Sequence, residues 1–488
     1  MMSNLLQASA VKLERLSGVG GRLLPIVLLA AVLGLDNADK GTVSAVAAEL
    51  KHAFGIGNTQ IGLLLSTVSF VGALATLPMG ALVDRYNRRT LLMIVVGIWS
   101  AAMLIAGLAH SFLSLLVVRV ALGAATAAAW PCTASLVGDL FAADERAHIY
   151  GLIIAGELVG VGVGFFVSGQ VSSWLGWRWS FFAMALPSLP LIYLLWRHLP
   201  EPRRGAQDWL RLSADPDSRA QRRRQRSASA ARSKIAQLVR ARRVEVRREL
   251  VLEPHQMPRT TLRVLLYLLH LPTYRLLIIA SALVYYFFAG IRSFAMIYAT
   301  GHYHLSTRAV SSLVFVVGIA ALAGVIGGGR LSERLSRRGR ISGRIQVPAV
   351  ALLAAVPLLG GGIWASSPWI AIPLLAAGVA AMAAAIAPID AARLDIVPAP
   401  MWGRGEAGRV ALRSVLEGGA PLLFGALSGW LGGGAPGLMW TFLLMLMLVP
   451  MLIAGSLALP AMRSYPIDVA TAAASATSVE SRRASPVR

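Results

Sequence analysis

Apolar runs of about 20 residues recur along this chain, and nothing else in it restricts the fold so tightly. In hydrocarbon the backbone N–H and C=O groups find no water. A spanning segment must therefore bond them internally as a helix, or within a closed barrel of much shorter strands. The runs lie at roughly 23–48, 59–82, 90–110, 112–138, 148–171 and 178–199, and again at roughly 273–299, 307–330, 345–366, 369–392, 409–431 and 437–460. The expectation is an all-α membrane protein with twelve transmembrane helices, six in each half. Composition agrees: 56% of residues are hydrophobic and 14% charged, against about 45–50% and about 25% in soluble chains.

The halves are related. Gly80-Ala81-Leu82-Val83-Asp84-Arg85-Tyr86-Asn87-Arg88-Arg89 closes the second run, and its spacing returns at Gly329-Arg330-Leu331-Ser332-Glu333-Arg334-Leu335-Ser336-Arg337-Arg338. Glycine, leucine, acid, arginine and the arginine pair fall in register. Other positions repeat too. Glu157, Ser168-Gly169 and Trp179-Ser180-Phe181 match Glu417, Ser428-Gly429 and Trp440-Thr441-Phe442, while Pro131 and Asp139 match Pro388 and Asp395 with an offset of one residue. Two pseudo-symmetric six-helix bundles are a known transporter plan, with the substrate near the midplane.

Most of the arginine sits in alternate loops, near 83–89, 139–147, 200–272, 331–344 and 393–408. By the positive-inside rule these loops and both termini face the cytoplasm of a plasma (inner) membrane. The same rule accounts for the net charge of +23 without a nucleic-acid partner. The expected organisation is a tail at 1–22, a bundle at 23–199, a basic linker at 200–272, a second bundle at 273–460 and a disordered tail at 461–488. The stretch 201–263 holds seventeen basic and seven acidic residues. Its Ile235, Leu238, Val239, Val246 and Leu250 suggest a basic amphipathic helix on the cytoplasmic face. A lone cysteine, Cys132, excludes an internal disulfide and a thiolate metal cluster. His302 and His304 are weak evidence for a metal, and no metal, haem or nucleotide pattern calls for a cofactor.

With these residues in hand, the chain resembles the major facilitator superfamily. Gly80–Arg89 is similar to that family's signature loop between helices 2 and 3, with Asn87 where Gly is usual. The N-terminal half looks most like the spinster-type branch. Asp39-Lys40-Gly41-Thr42-Val43 is similar to its helix-1 Asp-Arg pattern, and Arg119 to Ala127 to its helix-4 start, with Thr126 at the branch's Glu position. The helix-5 Gly-Pro signature of drug antiporters is missing after Gly156, Gly160, Gly162 and Gly164. The resemblance implies that the charged turns gate the transporter. Gly80, Asp84, Arg85 and Arg88 would act in the first copy, and Gly329, Glu333, Arg334 and Arg337 in the second. Asp84 would face the cytoplasmic end of helix 11, and Arg88 would reach towards helix 4 or 5.

Charges inside a bilayer are costly and usually mark function. Asp36, Asp39 and Lys40 share one face of helix 1. They read either as a self-neutralised cluster, with Asp36 pairing Lys40, or as a site in which Asp39 pairs with Arg119. Arg119 has no mate in the second half, where the register gives Ala376. Arg292 follows the aromatic run Tyr285–Phe288 and suits an anion, or snorkels outwards. Glu157 and Glu417 hold matched positions, as gate contacts or proton carriers.

The pattern predicts a secondary transporter, without enzymatic activity. It would move an amphipathic, anionic or lipid-like solute by alternating access, as a monomer, with protons as coupling ion. A cationic-drug exporter attracted by Asp36, Asp39 and Glu157 is the rival within the class. A non-transporting scaffold or receptor recruiting partners through 201–263 is the rival outside it.

Overall fold

In the computed structural model, the described residues are 23–141, 146–202, 238–239, 241–252, 261–398, 401–432, 434–440 and 448–484. The tail at 1–22 and most of the central linker lie outside them. The described residues are almost wholly helical. Helices α1 (Leu23–Ala45), α2 (Ala47–Phe54), α3 (Asn58–Arg85), α4 (Arg88–Gly107), α5 (Phe112–Thr126), α6 (Ala129–Leu140), α7 (Arg146–Leu175), α8 (Trp177–Ala185) and α9 (Ser188–His198) come first. After the linker follow α10 (Thr261–His270), α11 (Pro272–Tyr303), α12 (Thr307–Arg337), α13 (Gly343–Trp364), α14 (Pro368–Ala383), α15 (Ile386–Ile396), α16 (Trp402–Trp430), α17 (Gly434–Trp440) and α18 (Leu448–Ala484). Among the described residues ten stretches are long and apolar enough to cross a membrane. Helix α1, with Asp36, Asp39 and Lys40, and helix α16 complete the expected twelve. Exposed side chains such as Leu74, Val350 and Trp369 are what lipid would cover.

Local chemistry sets the helix ends and breaks. Asn87 accepts from the Thr90 amide at 3.0 Å and caps α4, so the residue that departs from the signature glycine starts the next helix. Ser111 and Ser306 cap α5 and α12 in the same way. Three spans break in the middle: at 127–128, at 186–187 and at 384–385. Each break falls four residues before a proline (Pro131, Pro190 and Pro388), where the ring clashes with the carbonyl and the helical bond is lost.

Two compact units emerge. The first contains residues up to 56 and 70–213, and the second contains 57–69 and 214 onward. The division differs from the expected 23–199 and 273–460 because the start of α3 belongs to the second unit. There Asn58 Nδ2 donates to Ser428 Oγ at 2.9 Å, and the Leu422 amide donates to Ser66 Oγ at 3.1 Å. A Cβ at Gly62 would sit 2.2 Å from the Pro421 carbonyl oxygen, and one at Gly425 2.2 Å from that of Asn58. Only glycine permits so close a backbone approach.

In the first unit, α1 packs along α7 through a similar seam. A Cβ at Gly160 would meet the Gly34 carbonyl at 2.1 Å, and one at Gly164 the Ala38 carbonyl at 2.1 Å. Small residues of this kind let membrane helices associate without a hydrophobic drive. A core of Leu29, Val32, Leu92, Val96, Leu136, Ile149 and Leu195 fills the space beside it.

In the second unit, two expectations fail. The tail expected to be disordered from 461 is instead helical: α18 runs on to Ala484, with Tyr465, Asp468, Thr471 and Ser475 buried. The linker around 238–252 is not one amphipathic helix. It is helical at 238–239 and 241, turns at 242–243, has no regular structure at 244–247 and makes a single 3-10 turn at Arg248–Leu250, while Ile235 lies outside the described residues. The reason is common to both. Linker and tail satisfy each other's polar groups, the Arg247 amide donating to Thr471 Oγ1 at 3.1 Å, the Leu252 amide to Ser475 Oγ at 3.1 Å and Arg247 Nη1 to Asp468 at 3.0 Å. Tyr267 donates to the Leu250 carbonyl at 2.8 Å. Burial, aided by the charge of Asp468, pushes its phenol up to about 12.

Candidate functional site

Helix α1 positions Asp39 and helix α5 positions Arg119, both in the first unit. Arg119 Nη1 donates to Asp39 Oδ1 at 2.6 Å and also to Oδ2. The two side chains are 1% and 2% exposed. The glycine seam brings α1 against α7, and Thr42 accepts from Ser168 Oγ at 2.9 Å one turn beyond Asp39. Arg119 Nε and Nη2 are buried with no hydrogen-bond partner, and the guanidinium lies 5.6 Å from the Phe181 ring centroid. A buried guanidinium with two donors to spare can take an anionic or carbonyl oxygen.

The other charges of α1 are more open. Lys40 Nζ lies 3.6 Å from Asp36 Oδ2, each partly exposed. The neutralised pair and the Asp39–Arg119 pair thus coexist on one helix. Glu157 is buried on α7 beside Gly156 and Gly160, the glycines of the seam.

In the second unit, Arg292 and Glu417 come together: Arg292 Nη2 lies 3.5 Å from Glu417 Oε1. Neither snorkelling by Arg292 nor a separate role for each residue anticipates that contact. Glu417 Oε2 also accepts from Arg413 Nε at 3.1 Å. Arg413, Arg409, Arg393 and Asp390 were absent from the sequence-based candidates. The signal for Arg409 and Arg413 was their four-residue spacing with Glu417, which puts all three on one helix face.

The charged turns do different things. Arg88 is fully buried, donating to Asp139, to Glu201 at 2.9 Å, to Ser135 Oγ at 2.9 Å and to the Pro202 carbonyl at 2.7 Å. The Arg89 amide donates to the other Glu201 oxygen at 2.7 Å. The carboxylate therefore also meets the positive end of α4. In the second unit the same hold is made by Arg344, which donates to Asp395, itself the acceptor of the Tyr465 hydroxyl. Arg337, which the sequence register aligns with Arg88, instead pairs with Glu333 one turn away on an exposed face. The intervening turn is longer in the second half, so contact register and sequence register part there. Arg85 and Arg334 are exposed, and Gly329 lies near Ala387. The surroundings of Gly80 and the Asp84 side chain lie outside what is described.

The comparisons point one way. The Major Facilitator Superfamily model matches residues 28–405. The bacterial homologue of the human lysosomal transporter Spinster, inward-facing and unoccupied, aligns at a TM-score of 0.65 with 20% identity, over 96% of this chain and 100% of the other. The nucleoside transporter NupG aligns at 0.58 with 11% identity, over 91% and 98%. These likenesses show the fold. The probable L-galactonate transporter of Escherichia coli (strain K12) is 28% identical over 176 residues, which is 36% of this chain and 38% of that protein.

Proposed function

The chain belongs to the Major Facilitator Superfamily, a family of multi-pass membrane transporters rather than enzymes, and on that premise we propose that it moves a small organic anion by alternating access, coupled to protons. Its place would be the plasma (inner) membrane, with both termini cytoplasmic as the arginine-rich loops require.

One observation carries the reading: Arg119, buried with Asp39, keeps two donors without partners. Substrate carboxylate and Asp39 would compete for one guanidinium. A proton on Asp39 would release Arg119 to the substrate, and loss of that proton would restore the pair and expel the substrate. The named substrate of one relative, L-galactonate, is an acid sugar and supports an anionic class.

The test is uptake into proteoliposomes with a pH gradient as the only driving force, using a panel of sugar acids, aromatic acids and lysolipids. Asp39→Asn is expected to abolish gradient-driven accumulation while leaving counterflow exchange. Full pH-driven accumulation by Asp39→Asn would end the proton-coupling proposal. Uptake of cationic drugs in place of acids would end the anion proposal.

A further inference from the structure

The first unit holds a polar cluster that the Asp39–Arg119 pair does not use. The break between α5 and α6 puts Thr126 and Ala129 at the wall of a small cavity, closed by Val32, Leu35 and Asp36 of α1 and by Val95, Val96 and Trp99 of α4. The cavity measures about 10 Å³, room for a single water. Three polar side chains line it. Trp99 is 2% exposed, and its Nε1 is buried with no hydrogen-bond partner among the described residues; a buried donor left so is rare in folded chains. Asp36 meets Lys40 at 3.6 Å, long for a hydrogen bond, so its carboxylate has acceptor capacity to spare. Thr126 adds a hydroxyl that can donate or accept. A water held by these three has the usual number of partners for a buried water. A metal cation is the poorer fit, since Trp99 offers a hydrogen and Lys40 a like charge. Asp39, meanwhile, is closed off from solvent: its side chain is 2% exposed and covered by Arg119. Asp36 lies on the same face of α1, three residues and about 4.5 Å along the axis from Asp39, and is 23% exposed. Besides Lys40, the described charges around this region are Arg119 on α5 and Glu157 on α7, which packs along α1. The charges of α4 and α6 (Arg88, Arg89, Asp139) and of α8 and α9 (Arg178, Arg197, His198) all lie at helix ends.

We propose that Asp36, Trp99 and Thr126 form a water site through which protons reach Asp39, with Asp36 as the relay carboxylate. A hydronium proton passes to an Asp36 oxygen, and the water is regained. The protonated Asp36 then gives that proton to Asp39 and returns to its carboxylate. Trp99 and Thr126 are positioning residues: they hold the water against Asp36. The inference rests on the proton-coupling reading and names the route by which the proton enters.

The test is rapid-mixing infrared spectroscopy of the purified full-length protein after an acid jump, following the C=O band of protonated carboxyl groups. It needs no transported solute. The part of the band that Asp39→Asn removes reports proton arrival at Asp39. Asp36→Asn should slow the rise of that part about a hundredfold, the low end of what a positioned proton carrier contributes, and Asp36→Glu should restore most of the rate. Trp99→Phe and Thr126→Val keep every carboxylate and should each slow the rise severalfold. They also keep the proposal testable if Asp36→Asn folds poorly. A purely structural role for Asp36 would not give a slow rise that Glu rescues. A wild-type rate in Asp36→Asn, or in both Trp99→Phe and Thr126→Val, would overturn the proposal, and so would slowing by Glu157→Gln in place of Asp36→Asn. Asp39→Asn separates this proposal from the reading beneath it. If it removes no part of the band, proton coupling through Asp39 falls and the relay with it. If it removes one that rises at the wild-type rate in Asp36→Asn, only the relay falls.

Discussion

Replacing Asp39 by Asn removes the charge that faces Arg119 and leaves the guanidinium buried. The two side chains are 1% and 2% exposed, with a 2.6 Å contact between them. With charge centres about 4 Å apart and an effective dielectric constant near 20, the lost attraction is about 4 kcal/mol. Experience with buried pairs gives a similar figure, about 3–5 kcal/mol for removing one partner, while removing both is often close to neutral. Arg119→Gln should cost as much as Asp39→Asn, and the double variant much less than their sum. At about 2–4 °C per kcal/mol for a unit of this size, each single variant should melt about 8–16 °C below wild type. The double variant should recover at least half of that loss. The assay is the melting midpoint in detergent, followed by tryptophan fluorescence. Additive losses within about 0.5 kcal/mol would show that the pair is not coupled and would refute the reasoning.

The two arginine clamps give a second prediction. Arg344→Met should destabilise the protein by about 3–5 kcal/mol, as Arg88→Met should, since each removes a guanidinium that bonds partly buried carboxylates. Arg337→Ala should cost at most about 0.5 kcal/mol, because its helical pair with Glu333 is exposed. Equal losses at Arg337 and Arg344 would show that contact register is the wrong guide. At the α3–α16 seam, Gly62→Ala and Gly425→Ala should each cost about 1–3 kcal/mol by overpacking and lower transport; wild-type melting in both would contradict the close approach. Tyr267 gives a pH test. Its phenol is raised from 10.0 to about 12, so the folded state holds that proton more tightly, and the associated stability is present below pH 10 and lost as pH rises towards 12. Tyr267→Phe should cost about 1 kcal/mol at neutral pH for the bond to Leu250 and flatten the alkaline loss. An unchanged alkaline limb would rule Tyr267 out as its source.

Much of the fold was legible because lipid leaves few choices. A run of about 20 apolar residues has to be helical, and a register of glycine, acid and arginine repeated across the chain marks two halves. The mid-span breaks fall four residues before Pro131, Pro190 and Pro388, yet Pro78, Pro357 and Pro421 lie inside unbroken helices, so proline alone does not mark a break. The charged turns were legible as a class but not in their partners. A seven-residue difference between Arg337 and Arg344 changes which arginine meets Asp395, and no spacing in one sequence reports the length of a turn in space. The C-terminal extension was misread because Ser, Ala and Arg resemble a solvated tail. Its polar residues are instead the acceptors for linker amides more than two hundred residues earlier.

The sequence by itself determined the membrane environment, the helix count, the pairing of the halves and the candidate charges at Asp39, Arg119, Arg292 and Glu417. Those follow from local hydrophobicity and from periodicity, which each segment carries alone. Tertiary structure decided who pairs with whom: Arg119 with Asp39, Glu417 between Arg292 and Arg413, Asp390 between Arg393 and Arg409. A charge within lipid is stable only beside its partner, and partners on different helices are chosen by packing. At the α1–α7 and α3–α16 seams, that packing is set by glycines that let two backbones touch.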